Sequence, residues 1–216
     1  MSTEPQAYLF DMDGTLCHTE PLHFAALRQV LQEVGQTLDT RLFETQLAGQ
    51  TTQVVFETLF PESPAGDRAA LLNRKEALFR ELARGLKPVP GVVDYLNWVR
   101  KSAAHIALVT NAPRLDVEFI LEVLGLTNHF HALVIASELA KPKPHPMPYL
   151  RALRLCGVSA KSAIAFEDSL AGVSSATTAG IKTLGITTTL NAETLLRAGA
   201  SATISDFTDP RLRHLG

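Results

Sequence analysis

Short apolar runs of strand length, separated by helical patterns, constrain this chain more than any other feature. Ala7–Phe10 stops abruptly at Asp11, and runs of the same type recur at Ile106–Val109, Leu133–Ile135, Ala163–Phe166 and Thr183–Ile186. Between them lie apolar stripes at helical spacing: Val92, Leu96 and Val99 after Pro90-Gly91, then Phe119, Ile120, Val123 and Leu124 before Gly125. Buried strands alternating with amphipathic helices predict an α/β chain with a mostly parallel sheet covered on both faces.

Residues 18–86 break the alternation. Phe24, Leu27, Leu31 and Val34 repeat at helical spacing up to Gly35, and further helices are expected at Thr40–Leu47, Thr52–Leu59 and Asp67–Arg84. No strand pattern occurs in this interval, so a block of helices interrupts the sheet after its first strand. Leu86–Gly91, reading LKPVPG, is the expected return linker. The predicted organisation is core at 1–17, helical insert at 18–86 and core again at 87–216.

Composition narrows the class. Twenty basic and 22 acidic residues give a formal charge of −2, with 46% hydrophobic residues, which excludes global disorder and gives no basic footprint for nucleic acid. No apolar run approaches a membrane span, and MSTEPQ at the start has no basic stretch leading into an apolar one. A cytoplasmic protein, with nothing that requires more than a monomer, is the expectation. Cys17 and Cys156 have no metal-ligand spacing and read as small packing residues.

Ligands of open parallel sheets bind beyond the carboxyl ends of the strands. There the first strand delivers Asp11-Met12-Asp13-Gly14-Thr15, the second Thr110-Asn111 and the fourth Glu167-Asp168; a lysine-proline segment at 141–148 precedes the fourth. Asp11 is suited to act as a nucleophile and Asp13 as acid and then base. Four acids against one lysine sum to −3, which calls for a cation, and carboxylates without His or Cys favour Mg²⁺. An anionic phosphate would then favour a protonated Asp13. Each piece also has a plainer reading: Asp-x-Asp-Gly as a turn, Thr110-Asn111 as a helix N-cap, and Glu167-Asp168-Ser169 as the cap of a helix starting near Leu170.

Together these residues resemble the four motifs of the haloacid dehalogenase superfamily, in its phosphatase and phosphomutase branch with a helical cap. The matching text is YLFDMDGTL at 8–16, VTNAPR at 109–114, KPHPMPYL at 143–150 and FEDSLAGV at 166–173. The resemblance implies a Rossmann-like core with an inserted all-helical cap, and an enzyme forming an aspartyl-phosphate on Asp11 with Asp13 as acid/base. It implies Mg²⁺ held by the Asp11 carboxylate, the Asp13 carbonyl and Asp168, with Glu167 outside or alternating. Thr110, with amides around Asn111 and Ala112, would bind the phosphoryl group, and a lysine would offset its charge.

That lysine is Lys143 rather than Lys141, because only Lys143 places Pro144, Pro146, Pro148 and Tyr149 in the family's register. Lys141 then reads as a solvated charge. The resemblance also places His23 where relatives keep a histidine near the first cap helix, and Cys17-His18-Thr19 where many carry an acid; His18 is a contact or hinge candidate. The second aspartate argues for phosphate rather than halide chemistry. Related mutases carry a Lys-Gly-x-x-x-Arg element where this chain has Ala48-Gly49-Gln50-Thr51-Thr52, with neither basic residue. Hydrolysis of small phosphate esters is therefore expected over mutase chemistry, with an inactive regulatory relative a distant third. Gln50, Thr51, Thr52 and Gln53 are suited to a hydroxylated substrate. GITTTLNAETL, TISDFTDPRL and KPHP are similar to small sugar-phosphate phosphatases.

Overall fold

The computed structural model describes residues 4–47, 50–102 and 104–214. Its sheet has six parallel strands: β1 Ala7–Phe10, β2 His105–Thr110, β3 Ala132–Ile135, β4 Ala163–Glu167, β5 Lys182–Ile186 and β6 Ala202–Ile204. Their order is β3-β2-β1-β4-β5-β6. The chain therefore walks outward from β1 to β3, then returns to the other side of β1, and the carboxyl ends of β1 and β4 flank the reversal where such sheets bind ligands. β6 is a sixth strand beyond the five apolar runs. Only three residues long, Ala202–Ile204 is too short to show a period of its own.

Alternation along the strands sorts the two faces. Tyr8, Phe10, Ile106, Leu108, Ile164 and Phe166 enter the larger core with helix α5 (Val92–Lys101) and helix α6 (Arg114–Val123). Phe10 stacks on Phe166 at 4.7 Å, with Tyr95 and Phe207 around them. Such pairs add about 0.5–1.5 kcal/mol each beyond burial and make a stiff floor under the strand ends. On the other face Ala7, Leu9, Ala107, Val109, Ala163 and Ala165 are small enough to let helix α7 (Met147–Cys156) settle close, with Tyr149 buried against them. Asp11 and Glu167 continue this second face by parity, so their side chains leave the sheet toward α7.

Helices α1 (Glu20–Glu33), α3 (Thr52–Leu59) and α4 (Ala65–Leu82) form the insert, with α4 packed against the other two. Where one helix was expected over Thr40–Leu47, α2 covers Thr40–Leu42, capped by Asp39 accepting from Leu42 N at 2.7 Å, and widens into a π-turn at Phe43–Leu47. α4 starts two residues before the expected Asp67 and tightens into a 3₁₀ turn at Ala83–Gly85. Val34 is not on the apolar face: it caps α1 and is 46% exposed, while Ala26, Leu27, Val30 and Leu31 are buried. The outgoing and returning chains lie side by side, with Val89 N donating to Leu16 O at 2.8 Å and Cys17 bridged to Pro88. Helices α8 (Leu170–Thr178) and α9 (Ala192–Arg197) complete the fold. Among the described residues no helix is long and apolar enough to cross a membrane.

Candidate active site

Lys143 is the centre of the constellation. Its ammonium is buried and donates to Asp11 Oδ1 at 2.7 Å, Glu167 Oε1 at 2.6 Å and Val109 O at 2.7 Å. Burial would lower this amine, but Asp11 and Glu167 hold it above its ordinary value, so it stays charged. Lys141, two residues earlier, is exposed. Tyr149 OH also donates to Glu167 Oε1 at 2.6 Å, which explains why an aromatic at this position of α7 matters. Asn111 clamps the loop, with its Oδ1 accepting from Lys143 N at 3.2 Å.

Asp11, Glu167 and Asp168 each offer an oxygen within 4.8 Å of the others. Burial, with Glu167 and Asp13 nearby, pushes Asp11 up to about 8 despite Lys143. Asp168 is pushed well up by burial and by the Asp11 and Glu167 charges. Glycines make the crowding possible. Gly14 has φ +73° and faces Asp168, while a Cβ at Gly172 would overlap the Glu167 carboxylate. Ser169 caps α8, accepting from Gly172 N at 3.0 Å, so the capping reading of this segment and its acidic role coexist.

Asp13 turns away from this cluster. It accepts from Thr19 Oγ1 at 2.6 Å and faces His23 Nε2 at 3.5 Å. Burial would raise it, but His23, Thr19 and Lys75 together hold it below its ordinary value. These donors favour the ionised form of Asp13, whereas the protonated form is the one expected beside a bound anion. His23 stacks on Phe79 at 3.9 Å, and burial and Lys75 lower its pKa.

Thr110 is fully buried at the end of β2, its Oγ1 accepting from Ala112 N at 3.0 Å. The plainer capping reading of Thr110-Asn111 fails, since α6 begins at Arg114 with Pro113 as its N-cap. His18 is exposed and lines a cleft of about 350 Å³ with Gly14, Phe24, Thr40, Phe43 and Thr188, between insert and core. Gln50 is exposed; its described hydrogen bond runs from its backbone N to Leu47 O. Ala48 and Gly49 lie outside the described residues. Both cysteines are buried thiols, and burial with the adjacent carboxylates pushes Cys17 well up, which keeps it protonated.

Residues 8–186 match the haloacid dehalogenase-like hydrolase family. The chain belongs to that family. It is 32% identical over 205 residues to the phosphorylated carbohydrates phosphatase of Thermotoga maritima, covering 92% of this chain and 94% of that one. It is 31% identical over 180 residues to the fructose-1-phosphate phosphatase of Escherichia coli, covering 82% and 94%. A β-phosphoglucomutase from Clostridium difficile has the same fold, with a TM-score of 0.86 over 98% of this chain and 95% of that one, at 20% identity. These matches make the chain an enzyme of the family's phosphatase and phosphomutase branch, a phosphoric monoester hydrolase.

The hydrolase's donor set fits a hard divalent cation. Asp168 Oδ1 is buried without a hydrogen-bond partner among the described residues, an arrangement that costs free energy unless a cation or water completes it. It sits in an all-oxygen group with Asp11 and Glu167, while the Asp13 carboxylate points elsewhere.

Counting one lysine missed a second. Lys75 of α4 is 5% exposed, with its Nζ 2.8 Å from His23 Nδ1 and 3.1 Å from Glu76 Oε2. Thr52 Oγ1 donates to the other oxygen of Glu76. The signal was in the sequence: Lys75 and Glu76 interrupt the stripe Leu72, Phe79, Ala83, so charged residues occupy the inward face of α4. Thr19 and Asp116 gave no such sign.

Proposed function

We propose that this hydrolase removes phosphate from small phosphorylated metabolites, sugar phosphates foremost, through an aspartyl-phosphate on Asp11. The observation that carries the reading is the division of labour between two carboxylates two residues apart. Asp11 is held by Lys143 in the acidic cluster, and Asp13 is held by Thr19 and His23 outside it. A halide-displacing relative has no use for the second acid. The carbohydrate-phosphate names of the Thermotoga and Escherichia relatives point to the same substrate class.

An Asp11 oxygen attacks phosphorus as the bond to the leaving oxygen breaks, and Asp13 gives that oxygen a proton. The approaching phosphate raises Asp13 into the protonated state this needs. Asp13 then takes a proton from the water that attacks the phosphoryl-Asp11, releasing inorganic phosphate and restoring the Asp11 carboxylate. Lys143 offsets charge on the transferred group, while the Thr110 hydroxyl and the amides of Asn111 and Ala112 hold its oxygens. Asp11, the Asp13 carbonyl and Asp168 would hold Mg²⁺, with Glu167 supporting them, and the ion would supply the positive charge that lets a phosphate dianion approach a carboxylate. Residues 18–86 act as a cap on the core of 1–17 and 87–216, closing over a small ester and excluding bulky substrates. His23 and Gln50 belong to the cap's substrate side.

Hydrolysis is favoured over mutase chemistry because neither basic residue of the mutase element is present at 48–52 to grip a second phosphate. The test is incubation with Mg²⁺ and a panel of sugar, sugar-alcohol and glycolate-type phosphates, assaying free phosphate and isomerised sugar together. Phosphate release that disappears in Asp11→Asn supports the reading. Isomerisation without phosphate release, or an Asp11→Asn variant with wild-type turnover, overturns it.

A further inference from the structure

Asp116 lies on α6, in the core, and is completely buried, yet its partners come from the insert. Arg80 Nη1 donates to its Oδ1, and the Glu76 carboxyl group lies beside it. Two carboxyl groups set side by side away from water avoid mutual repulsion when one of them keeps its proton. Asp116 is the holder: burial, reinforced by Glu76, pushes it up to about 8, whereas Glu76 is held low by Lys75, and Asp116 Oδ2 has no hydrogen-bond partner among the described residues. Glu76 and Arg80 are one turn apart on α4, and Lys75 is in the same turn. From Lys75 the contacts run to His23 Nδ1 at 2.8 Å, and from His23 Nε2 to Asp13 Oδ1 at 3.5 Å.

We propose that Asp116 is a positioning residue for Asp13: it receives Glu76 and Arg80 and so fixes the turn of α4 whose Lys75 holds His23 against the acid. The proposal rests on the phosphatase reading for what Asp13 does, and on this geometry alone for the anchoring of α4. Polar docking suits the task. A carboxyl pair buried at a boundary between elements is satisfied only when the two meet in one register, whereas an apolar contact tolerates sliding.

The experiment compares Asp116→Ala and Asp116→Asn with wild type. Asparagine keeps an acceptor for Arg80 and a donor for Glu76, reproducing the protonated acid; alanine strands both partners. Hydrogen exchange of the full chain reads the anchor, with faster exchange expected over residues 72–82 in Asp116→Ala and near wild-type exchange in Asp116→Asn. The second readout is kcat/KM for the best alkyl phosphate of the panel against p-nitrophenyl phosphate, whose leaving group departs without a proton. Asp116→Ala should lower the alkyl value at least about tenfold more than the aryl value, since general acid catalysis contributes about 10²–10⁴-fold, and Asp116→Asn should restore the ratio. Equal losses on both esters, an asparagine variant as impaired as alanine, or unchanged exchange in α4 would overturn the proposal. A wild-type enzyme inactive on both esters sinks the phosphatase reading instead, and the exchange data still decide whether Asp116 anchors α4.

Discussion

Replacing Lys143 with methionine keeps the length and volume of the side chain and deletes its charge. Three acceptors then lose their donor at once: Asp11 Oδ1, Glu167 Oε1 and Val109 O, all within 2.7 Å of Nζ. Glu167 is fully buried and retains Tyr149 and Ser169 as donors. Removing one partner from a buried ion pair costs about 3–5 kcal/mol because the other charge is stranded. We expect that loss in urea unfolding of metal-free protein near neutral pH.

The loss should shrink as pH falls, and the sign follows from the carboxyl groups. Without the ammonium, which now holds them down, the native pKa values of Asp11 and Asp168 rise further above the unfolded ones, so the native variant binds extra protons between about pH 4 and those raised values. Its stability then falls with rising pH by about 1.4 kcal/mol per unit for each such proton. Saturating Mg²⁺ should return part of the stability, because it supplies a replacement cation. Lys141→Met is the control, exposed and expected to change stability by less than about 0.5 kcal/mol. A Lys143→Met protein within about 1 kcal/mol of wild type without metal, or one destabilised more at acid than at neutral pH, would refute the view of Lys143 as the counter-charge of this site.

In metal-free wild type the raised Asp11 and Asp168 should make the melting temperature fall as pH rises from about 4 to about 8, and Mg²⁺ should flatten that slope; a slope unaffected by Mg²⁺ would count against the cluster as the binding site. Gly172→Ala should cost about 1–3 kcal/mol and weaken Mg²⁺-dependent stabilisation, since the new methyl displaces the Glu167 carboxylate; calorimetry with and without metal checks both. Thr19→Val deletes the 2.6 Å donor to Asp13 and should move the basic limb of the kcat/KM profile, where the required proton on Asp13 is lost, upward by about one pH unit, with Cys17→Ala as a comparison that leaves the limb in place.

The sheet was legible because buried parallel strands must be apolar and end where chemistry begins. Ala7–Phe10 and Ala163–Phe166 are short, unbroken and followed at once by acids, and they lie side by side in register with Phe10 opposite Phe166. Lys143 could be chosen over Lys141 because the position of Tyr149 on α7 is a spacing, and spacings survive into structure. β6 escaped because three residues carry no period, and the π-turn at Phe43–Leu47 because apolar spacing is similar for a slightly wider helix. The polar network leading to Asp13 was hidden for another reason. Thr19, Lys75 and Asp116 come from separate elements, and no local pattern announces which polar residue a distant helix will meet.

Leu16 and Val89 are hydrogen-bonded across the only two places where the chain passes between sheet and helical insert. Those crossings are within six residues of Asp11 on one side and sit beside each other, so the insert is mounted at one edge like a door on a single post. Rotation about such a mount moves the residues near the post very little and those at the far side of α3 a great deal. The carboxylates Asp11, Glu167 and Asp168 are thereby insulated from changes at the far side of the insert, whereas Asp13 answers to Thr19, His23 and Lys75 of the insert itself. Changes at the far side of α3 can therefore alter what fits while leaving the nucleophile's surroundings alone, and changes at Thr19, His23 or Lys75 reach the acid as well.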